Sequence, residues 1–526
     1  MKTKQLILPF IAIVTILFAL VLASCQRQVY SGGKGIVSIT VQVFDRGTEG
    51  GKTNPVNNAW TDWIKKKVLE DEGIRVTFIP VPRFEETQVL NVMMAAGSAP
   101  DICYTYSTDL IMNFAALGGL FDISPYVDSL LKDYDNFLGD DPGVPGSRLI
   151  YRGMDLDTGS MYMVPGKFLY TASQNLFIRK DWLDILGLPL PSTKEEYFEA
   201  LVAFKEKDPG GVGLNRVIPF TLTTDVRWTA GIILDPFIDP SIGHKERWIN
   251  TVVERYLLLP GYKEGVRFLN RMYNSGLIDP DFPIYRHDEI DIITKSGVVG
   301  SVAGNWDYIY RENTKVLEDL QKNVPGANMV PIDAIQSIDG ITRKRGSPPT
   351  SLYWFIPKNS KNPEAAIRYV NWLSRFENYH FLQFGYEGIS HEIIDGVPKI
   401  KSVTGQWIQN SAGNLDYAFH INGYDMGCPE LNEHVLANSY NWPPEVIKNA
   451  YRISSTNAVS DPHVSVKLLE AAPLQQVLQD KAVVLFCSAI TVTPANFDRV
   501  WDNGIRDWLS SGAERIVNER RLKYPE

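Results

Sequence analysis

The stretch IVSITVQVF at residues 36–44 begins an alternation of strands and helices that predicts the fold. It is rich in β-branched residues and alternates in polarity, which indicates a β-strand. RVTFIPVP at 75–82 and APDICYTY at 99–106 indicate two more strands, and apolar residues at helical spacing indicate helices at 59–71 and 85–96 between them. Crossovers this short predict a parallel sheet with helices on its faces, whose ligands bind beyond the carboxyl ends of the strands.

The same alternation returns further along the chain. Ser192 or Thr193 is expected to cap a helix, because Glu195 and Glu196 follow in its first turn. Further strands are predicted at 298–306 and 349–360 and, from an unbroken apolar run, at 482–490, and further helices at 363–376, 497–509 and 513–524. We therefore expect an α/β protein, and a length of 526 residues favours two or three domains.

The composition is that of a globular protein with an acidic balance. Hydrophobic residues make up 44% and charged residues 21%, which argues against a disordered or fibrous chain. The net charge is −9 and no basic stripe is present, so nucleic acid is not expected as a partner, because phosphate contacts need clustered Lys and Arg. Aromatic residues at 11%, with 12 Trp among them, indicate large flat apolar surfaces, some of which can face a ligand.

The N-terminus predicts export and anchoring. Two lysines precede 19 uncharged residues (6–24), which end in the tetrad LASC at 22–25. This order of charge, apolar run and small residues is typical of a signal peptide, here residues 1–24. The tetrad resembles a bacterial lipobox, in which Cys25 carries the lipid, whereas a transmembrane anchor is the alternative. We expect a lipid-anchored chain on the extracytoplasmic face of the cell membrane, with residues 25–35 as a flexible tether.

Motifs for metal, nucleotide and serine-hydrolase chemistry are missing from the sequence. It contains no CxxC, no HExxH and no close His/Cys cluster, so a zinc site is not expected. It also lacks GxxxxGK[ST], GxSxG and a GxGxxG after a strand. With Cys25 lipidated, Cys103, Cys428 and Cys487 remain, which allows at most one disulfide. We expect neither a cofactor nor a metal.

Six segments spread over the chain carry a family resemblance. They are AAGSAPDICY (95–104), GSMYMVP (159–165), NLFIRKDWLDILGLPLPSTKEEYFEAL (175–201), GLIDPDF (276–282), GNWDY (304–308) and WFIPKNSKNPEAAIRYVNWL (354–373). Together with the LASC tetrad they resemble the extracytoplasmic solute-binding proteins of ABC importers, in the maltodextrin and oligosaccharide branch. The resemblance covers nearly the whole mature chain in order.

The resemblance implies two discontinuous α/β lobes joined by hinge crossings, as in type II periplasmic binding proteins, which close over a ligand. The crossings are expected near residues 150–160, 350–360 and 435–445. The lobes expected from them are 36–155 with 357–435, and 156–356 with 436–526. Relatives in this branch often have an acidic calcium-binding loop where this chain has KEKDPGGVGLNRVIP at 205–219. Only Asp208 remains of the ligand positions, and calcium needs about six oxygens, so we expect a turn without metal.

Trp306, in the turn GNW, is the first candidate for contact with a sugar. A pyranose face packs on an indole and releases water from two apolar surfaces. The resembled family has a sugar-stacking tryptophan in a Gly-x-Trp turn at this place, and a tryptophan in the core is the alternative. Asn305 beside it can hydrogen-bond a hydroxyl group.

Tyr104, Tyr106 and Asp109 follow the third predicted strand, where the resembled family carries aromatic and acidic sugar contacts. The two tyrosines share one face if the strand continues. Arg46, after the first strand, can bridge hydroxyls or pair with a uronate carboxylate, and an ordinary surface arginine is the alternative. The remaining candidates for ligand contact are Trp228, Trp354 and Glu387.

The function expected from these features is that of a monomeric binding protein. It would capture an oligosaccharide and deliver it to an ABC permease, without enzymatic activity. The alternative is an extracellular glycoside hydrolase, which needs two carboxylates about 5–10 Å apart in a cleft. The sequence has no recognisable hydrolase signature, and the order of its segments favours the carrier. The strand–helix rhythm of a single chain disfavours a third class, a surface adhesin.

Overall fold

The computed structural model describes residues 35–46, 54–83, 85–144, 146–312, 314–401, 403, 405–464, 466 and 468–525. Its strands are β1 (Val37–Asp45), β2 (Ile74–Pro82), β3 (Cys103–Thr105), β4 (Val164–Phe168), β5 (Gln174–Arg179), β6 (Ile218–Thr221), β7 (Val299–Asn305), β8 (Met329–Ile332), β9 (Lys344–Arg345), β10 (Thr350–Phe355), β11 (His391–Ile394), β12 (Val397–Ile400), β13 (Ile421–Asn422) and β14 (Ala458–Val459). The predicted signal peptide and Cys25 lie outside the described residues.

The helices are α1 (Ala59–Glu72), α2 (Glu86–Ala95), α3 (Thr108–Ala116), α4 (Val127–Leu130), α5 (Lys132–Leu138), α6 (Lys180–Leu186), α7 (Lys194–Lys207), α8 (Val226–Leu234), α9 (His244–Asn250), α10 (Tyr262–Asn274), α11 (His287–Lys295), α12 (Val316–Asn323), α13 (Pro363–Leu373), α14 (Phe376–Phe384), α15 (Pro429–Asn438), α16 (Pro444–Ser455), α17 (Ala471–Thr491), α18 (Phe497–Trp508) and α19 (Glu514–Lys523). None of these helices is both long enough and apolar enough to span a bilayer.

The first lobe is built on a sheet in the order β2-β1-β3-β10-β4-β13. A two-stranded and a four-stranded part are joined by Gln42, whose N–H donates to the Ile102 carbonyl at 2.9 Å, and by Ile102, whose N–H donates to the Thr40 carbonyl at 3.1 Å. β1 is parallel to β2 and to the residues that lead into β3, whereas β10 is antiparallel to β3 and β4. The carboxyl ends of β1, β2 and β3 therefore lie at one edge, as the sequence predicts.

Local sequence explains the helices of this sheet. α1 begins at Asn58, whose side chain accepts from the N–H of Trp60 and Thr61, and it ends at Gly73, which adopts φ 68°. A side-chain acceptor at the N-cap and a left-handed glycine after the last turn are the usual signals for helix start and stop. In the second lobe, α7 begins in the same way at Thr193, one of the two predicted caps, which accepts from the Glu196 N–H.

The second lobe is built on a smaller sheet in the order β6-β7-β5-β8. β6 and β7 are parallel, and β5 is antiparallel to β7 and β8. Gln174, the first residue of β5, lies opposite Asn305, the last residue of β7. The ends of β6 and β7 therefore lie at the edge where the chain enters from the first lobe.

Each lobe has its own hydrophobic core. Trp60, Trp354 and Trp372 are fully buried in the first lobe. The main core of the second lobe includes Trp182 and Trp508 and reaches to the C-terminal helices. A smaller core in the second lobe packs between β7 and the helices α15 and α16. Separate cores are consistent with two units that can move relative to each other about the crossings.

The chain passes between the two sheets at residues 169–173, 346–349 and 423–428. The first and third crossings touch, because the Tyr424 N–H donates to the Tyr170 hydroxyl at 2.7 Å. Gly423 adopts φ 113°, and a Cβ there would lie 2.9 Å from the Leu169 side chain. Only glycine therefore fits this close approach. After the third crossing, α15 contacts both lobes, since Val435 and Leu436 join different clusters.

These crossings correct the predicted lobe boundaries. The boundaries at 155 and 356 assign β4 and β10 to the second lobe, but both strands lie inside the sheet of the first lobe. The pairing joins residues far apart in sequence, and the apolar pattern of a strand does not say which sheet it enters. We propose residues 36–168 with 350–422 as the first lobe and 174–345 with 429–525 as the second.

One predicted strand is wrong. Residues 482–490 lie within α17, where Ala482, Leu485, Phe486 and Ala489 are buried at spacings of three and four. A short apolar run fits a buried strand and a buried helix equally well, so its periodicity does not decide between them. The other predicted strands and helices named above are confirmed in type.

Candidate ligand-binding cleft

The ends of several strands bring polar and aromatic side chains to the space between the lobes. β1 ends next to Arg46, and β3 ends next to Tyr106, one residue before α3 is capped by Ser107. On the second lobe, β6 leads to Trp228 in the first turn of α8, and β7 ends at Asn305. Both sheets therefore direct strand ends at the other lobe, which is where α/β proteins bind ligands.

Two cavities between the lobes adjoin these strand ends. The first, here called the Arg46 cavity, has a volume of about 670 Å³ and is lined by Arg46 and Asn410 of the first lobe, by Tyr424 of the third crossing and by Asp307, Arg311 and Tyr440 of the second lobe. The second, here called the Asp109 cavity, has a volume of about 330 Å³ and is lined by Asp109, Met112 and Tyr353 of the first lobe and by Arg227, Glu254 and Arg520 of the second. Both are within the size range of small-molecule sites.

Arg46 is held in one orientation by a buried carboxylate. Its Nε lies 2.9 Å from Oδ2 of Asp416 and its Nη2 lies 2.7 Å from Oδ1, a bidentate pair. Asp416 is fully buried and also accepts from the Asn410 amide at 2.5 Å. Burial acts to lower the pKa of the Arg46 guanidinium, but the Asp416 carboxylate raises it above the ordinary value. The guanidinium is therefore charged, fixed and paired on one edge.

The second lobe has a matching pair across the Arg46 cavity. Arg311 donates from Nε to Oδ1 of Asp307 at 2.9 Å, and the Tyr440 hydroxyl donates to Oδ2 at 2.8 Å. Asn305 lies beside them, with its amide oxygen turned to accept from Nη2 of Arg311 at 2.7 Å. Each lobe thus presents an arginine whose orientation is set by a carboxylate and a neighbouring amide.

Two aromatic rings at the strand ends are exposed. Tyr106 is 40% exposed and Trp228 is 39% exposed. Arg83, which follows β2, lies over the Tyr106 ring with its guanidinium carbon 4.7 Å from the centroid. Arg227 lies over the Trp228 ring at 5.6 Å. Such rings are rigid and flat and have one face available for stacking.

Asp109 lies in the first turn of α3 and faces the second lobe. Burial raises the pKa of the Asp109 carboxyl, Arg520 opposes that change, and Glu254 adds to it. The lobes also touch near this cavity, because His463 donates from Nε2 to the Arg152 carbonyl at 3.0 Å and Lys523 pairs with Asp157 at 2.8 Å. Charged groups of the second lobe therefore influence the protonation of the Asp109 carboxyl group.

Trp306 lies in the core of the second lobe and not on an open wall of the cleft. It is 8% exposed, and its ring packs edge-on against Tyr440 at 5.8 Å and Tyr451 at 5.5 Å. Its backbone N–H donates to the Ser173 carbonyl at 2.9 Å, which turns the chain at once after β7 and directs the ring toward α15 and α16. The structure therefore places the first candidate at the alternative position, the core.

Three other candidates also lie away from the cleft surface. Tyr104 is fully buried and stacks on Phe419 with ring centroids 4.7 Å apart. β3 ends at Thr105, so Tyr106 lies beyond the strand and does not share a face with Tyr104 as expected. Trp354 is fully buried, since the central strand β10 points it into the first-lobe core, where its indole N–H donates to the Tyr134 hydroxyl. Glu387 is exposed in the turn before β11, lining neither cavity.

The structure thus places Arg46 in the wall of the Arg46 cavity and Asn305 behind that wall, against Arg311, and it exposes Tyr106 and Trp228 near strand ends outside the linings of the two cavities. Sequence reasoning missed other residues of the cleft: Arg83, Arg227, Asp307, Arg311, Asp416 and Tyr440. The position of Arg83 after β2 matches that of Arg46 after β1, so the same rule could have found it. Asp416 and Tyr440 follow no strand of this edge, and no local signal marks them.

No group of three metal-ligating side chains is found among the residues that the structure describes. In the loop after α7, both carboxylate oxygens of Asp208 accept backbone N–H groups, from Val212 at 2.9 Å and Gly213 at 2.7 Å. The carboxylate thus closes the turn by itself, as in other Asp-stabilised turns. Cys103, Cys428 and Cys487 are free thiols.

Comparison with known proteins shows which family of binding proteins this chain resembles. Residues 53–257 match the model of the family described as bacterial extracellular solute-binding protein. The resemblance that the sequence predicts is thereby confirmed, and so is the fold class, two α/β lobes of the type II kind. The matching fold is seen in Streptococcus pneumoniae, in an EF-hand mutant of the ABC-transporter substrate-binding protein FusA in complex with fructo-nystose. It has a TM-score of 0.65 and 16% identity, and the match covers 92% of this chain and 98% of that chain.

Two curated relatives come from Bacillus subtilis (strain 168). Lipoprotein LipO is 22% identical over 100% of this chain and 98% of its own. The polygalacturonan/rhamnogalacturonan-binding protein YtcQ is 20% identical over 86% of this chain and 85% of its own. The chain thus matches both relatives over most of their length.

Proposed function

We propose that this chain is the substrate-capturing component of an ABC importer for oligosaccharides, anchored by lipid at Cys25 on the extracytoplasmic face of the membrane. It binds its ligand between the lobes and presents it to the permease as a monomer. The observation that carries this proposal is the cleft itself. Two exposed aromatic rings lie near strand ends of facing lobes, and two carboxylate-held arginines face one cavity between the lobes, in a fold shared with solute-binding proteins.

The chemistry of the cleft fits sugars. An aromatic face packs on the C–H face of a pyranose, and Tyr106 and Trp228 offer such faces on opposite lobes. Arg46 and Arg311 offer N–H donors in fixed positions, and the paired carboxylates offer acceptors. A ring of hydroxyl groups needs donors and acceptors side by side, which these pairs provide.

The lobe crossings fit capture by closure. Three short segments at one side of the cleft join two separate cores, so the lobes can rotate without breaking either core. A ligand that touches both lobes stabilises the closed state by its additional contacts. The relatives named LipO and YtcQ are, by name, a lipoprotein and a polygalacturonan/rhamnogalacturonan-binding protein, which supports capture of a carbohydrate by a lipid-anchored chain.

Incubation with a mixed oligosaccharide pool tests capture. The purified full chain in detergent should retain a subset of the pool, and mass spectrometry should recover that subset uncut. Shortened products would instead support the rival function, a glycoside hydrolase. Carboxylates of the cleft are held in ion pairs, among them Asp416, Asp307 and Glu254, which favours binding over proton transfer.

A substitution tests the anchor. Cys25→Ser should abolish lipid labelling and either release the chain from membranes or leave an unprocessed precursor, because the thiol is the site of acylation. Ser24→Ala, which keeps the thiol next to a small residue, is the matched control and should remain labelled. Lipid labelling of Cys25→Ser equal to that of the control would contradict anchoring at this cysteine.

A further inference from the structure

Five arginines of the cleft share one feature: each is paired with a carboxylate of its own lobe. The pairs are Arg46 with Asp416 at 2.7 Å, Arg83 with Glu86 at 2.8 Å, Arg311 with Asp307 at 2.6 Å, Arg345 with Asp235 at 3.6 Å, and Arg227 with Glu254. A guanidinium that is already paired has donors to offer but little net charge. These five arginines therefore supply many donors to the cleft but little net positive charge.

The charge balance of each cavity leads to the same conclusion. The Arg46 cavity has two arginines, Arg46 and Arg311, against Asp307, Glu312 and the Asp416 carboxylate that holds Arg46. The Asp109 cavity is lined by four arginines (Arg152, Arg227, Arg345 and Arg520) and three carboxylates (Asp109, Glu254 and Asp461). Two more carboxylates lie behind the lining, Asp141 paired with Arg152 and Asp235 paired with Arg345. Acids thus outnumber arginines by one in the Arg46 cavity, and in the Asp109 cavity they equal the arginines once Arg247, which pairs with Asp461 from behind, is counted.

We propose that the ligand of this cleft is an uncharged oligosaccharide and that uronate-containing sugars are rejected, an inference that rests on the proposed function. A sugar carboxylate entering the Arg46 cavity would meet a carboxylate on the far side of each arginine, and in the Asp109 cavity it would meet one behind Arg152, Arg227 and Arg345 and compete with Asp109 for Arg520. In the Arg46 cavity both arginines are already paired, so the cost of desolvating the sugar carboxylate would not be offset, and like charges in a partly buried site repel. Neutral hydroxyls meet no such penalty, since each arginine–carboxylate pair offers a donor and an acceptor to neighbouring hydroxyls.

The pairing of Arg46 decides between the two chemistries that its sequence position allows. An arginine after a strand can bridge hydroxyls or pair with a uronate. Asp416 is fully buried and takes both Nε and Nη2, so the side-on edge of the guanidinium is occupied. What remains is the end-on edge at Nη1 and Nη2, whose N–H groups suit hydroxyl oxygens, whereas a uronate bound there would share the charge of Arg46 with Asp416.

Competitive capture tests this selectivity. The full chain in detergent is offered an equal mixture of neutral oligosaccharides and uronate oligosaccharides of matched length. The amount of each retained sugar is then measured. We expect uncharged members to be retained at least tenfold over uronates, with affinities that change less than about twofold between low and high salt. Equal or preferential retention of uronates would overturn the proposal while leaving the function intact. Retention of no sugar at all would overturn the proposed function and this proposal with it.

Two variants test the cause of the selectivity. Asp307→Asn and Glu254→Gln keep side-chain size but free Arg311 and Arg227 from their carboxylates. Each should raise the ratio of uronate to neutral sugar captured several-fold. Asp498→Asn, which removes an exposed carboxylate of α18 paired with Lys263 and Arg267, is the matched control and should leave the ratio unchanged. An unchanged ratio in Glu254→Gln, whose carboxylate is 66% exposed and not needed for the core, would contradict the pairing argument.

Discussion

Trp228 and Trp306 follow neighbouring parallel strands of the same sheet, yet one ring lies in water and the other in the core. After β6 the chain continues to α8, and Trp228 in the first helical turn is 39% exposed. After β7 the chain turns at once, and Trp306 is 8% exposed between Tyr440 and Tyr451. A position after a strand therefore locates a residue at the cleft edge, but the turn that follows decides which way its ring points.

The first lobe repeats this contrast over two residues. Tyr104 is the middle residue of β3 and is fully buried, whereas Tyr106 lies just beyond the strand and is 40% exposed. In both lobes the buried ring contributes to folding, and the exposed ring is available for a ligand. Substitutions at these four positions should separate the two roles.

The largest effect is expected for Trp306→Ala, on folding. Its ring fills space in the small core of the second lobe, so truncation should lower the free energy of unfolding by about 3–5 kcal/mol. A denaturant melt without ligand measures this. Trp228→Ala under the same conditions is the control, and a loss below about 1 kcal/mol for Trp306→Ala would show that the ring is not a core residue.

A buried imidazole extends the comparison to pH. His420 is fully buried among Tyr134, Phe137 and Tyr379, and burial lowers its pKa to about 3. In the unfolded chain the His420 imidazole takes up a proton near its ordinary pKa of 6.5. The contribution of this residue to stability is therefore fully present above pH 6.5 and is lost progressively as the pH drops toward 3. The loss from this residue should reach about 3 kcal/mol at pH 4.

Unfolding free energies measured from pH 7 to pH 4 check this. His420→Phe should flatten the decline by that amount, and His434→Asn, on α15, is the matched control. A decline equally steep in His420→Phe would assign the acid sensitivity to other groups.

Trp228→Ala should mainly affect binding. If its ring stacks on a sugar, affinity for a captured oligosaccharide should fall by about 2–4 kcal/mol, as for a well-packed aromatic at the centre of an interface. Stability should change by less than about 0.5 kcal/mol, because the ring is exposed. Titration calorimetry and a denaturant melt give the two numbers, and intact affinity would remove Trp228 from the site.

Tyr104→Phe should have a smaller effect on stability. The hydroxyl donates to the Asp416 carbonyl at 2.8 Å and accepts from the Phe44 N–H at 3.1 Å, so its removal leaves both groups buried and unpaired. We expect a loss of about 1–3 kcal/mol. Tyr106→Phe should change stability by less than about 0.5 kcal/mol. Equal losses for the two variants would contradict the contrast between the buried and the exposed tyrosine.

The smallest effect is expected from removal of metal. Since Asp208 is satisfied by the N–H groups of its own loop, a chelator should leave the melting midpoint unchanged. Thermal melts with and without EDTA measure this. A midpoint several degrees lower in EDTA would show that a metal contributes to stability.

The sequence by itself determined the class of fold and the edge at which the site lies. β-branched runs, capped helices and short crossovers are local properties, and they suffice to predict parallel strands whose carboxyl ends meet. They placed Arg46, Tyr106, Trp228 and Asn305 near that edge. The predicted N-terminal lipobox and the family resemblance likewise rest on short segments.

Only the tertiary structure decided the lobe to which β4 and β10 belong, the direction of each aromatic ring, and the partner of each arginine. These depend on contacts between residues far apart in the chain, such as Arg46 with Asp416 and Trp306 with Tyr451. Burial and ion pairing are properties of the packed molecule, and no local pattern encodes which neighbour fills a given space. The sequence therefore located the cleft, and the packing determined which of its side chains can touch a ligand.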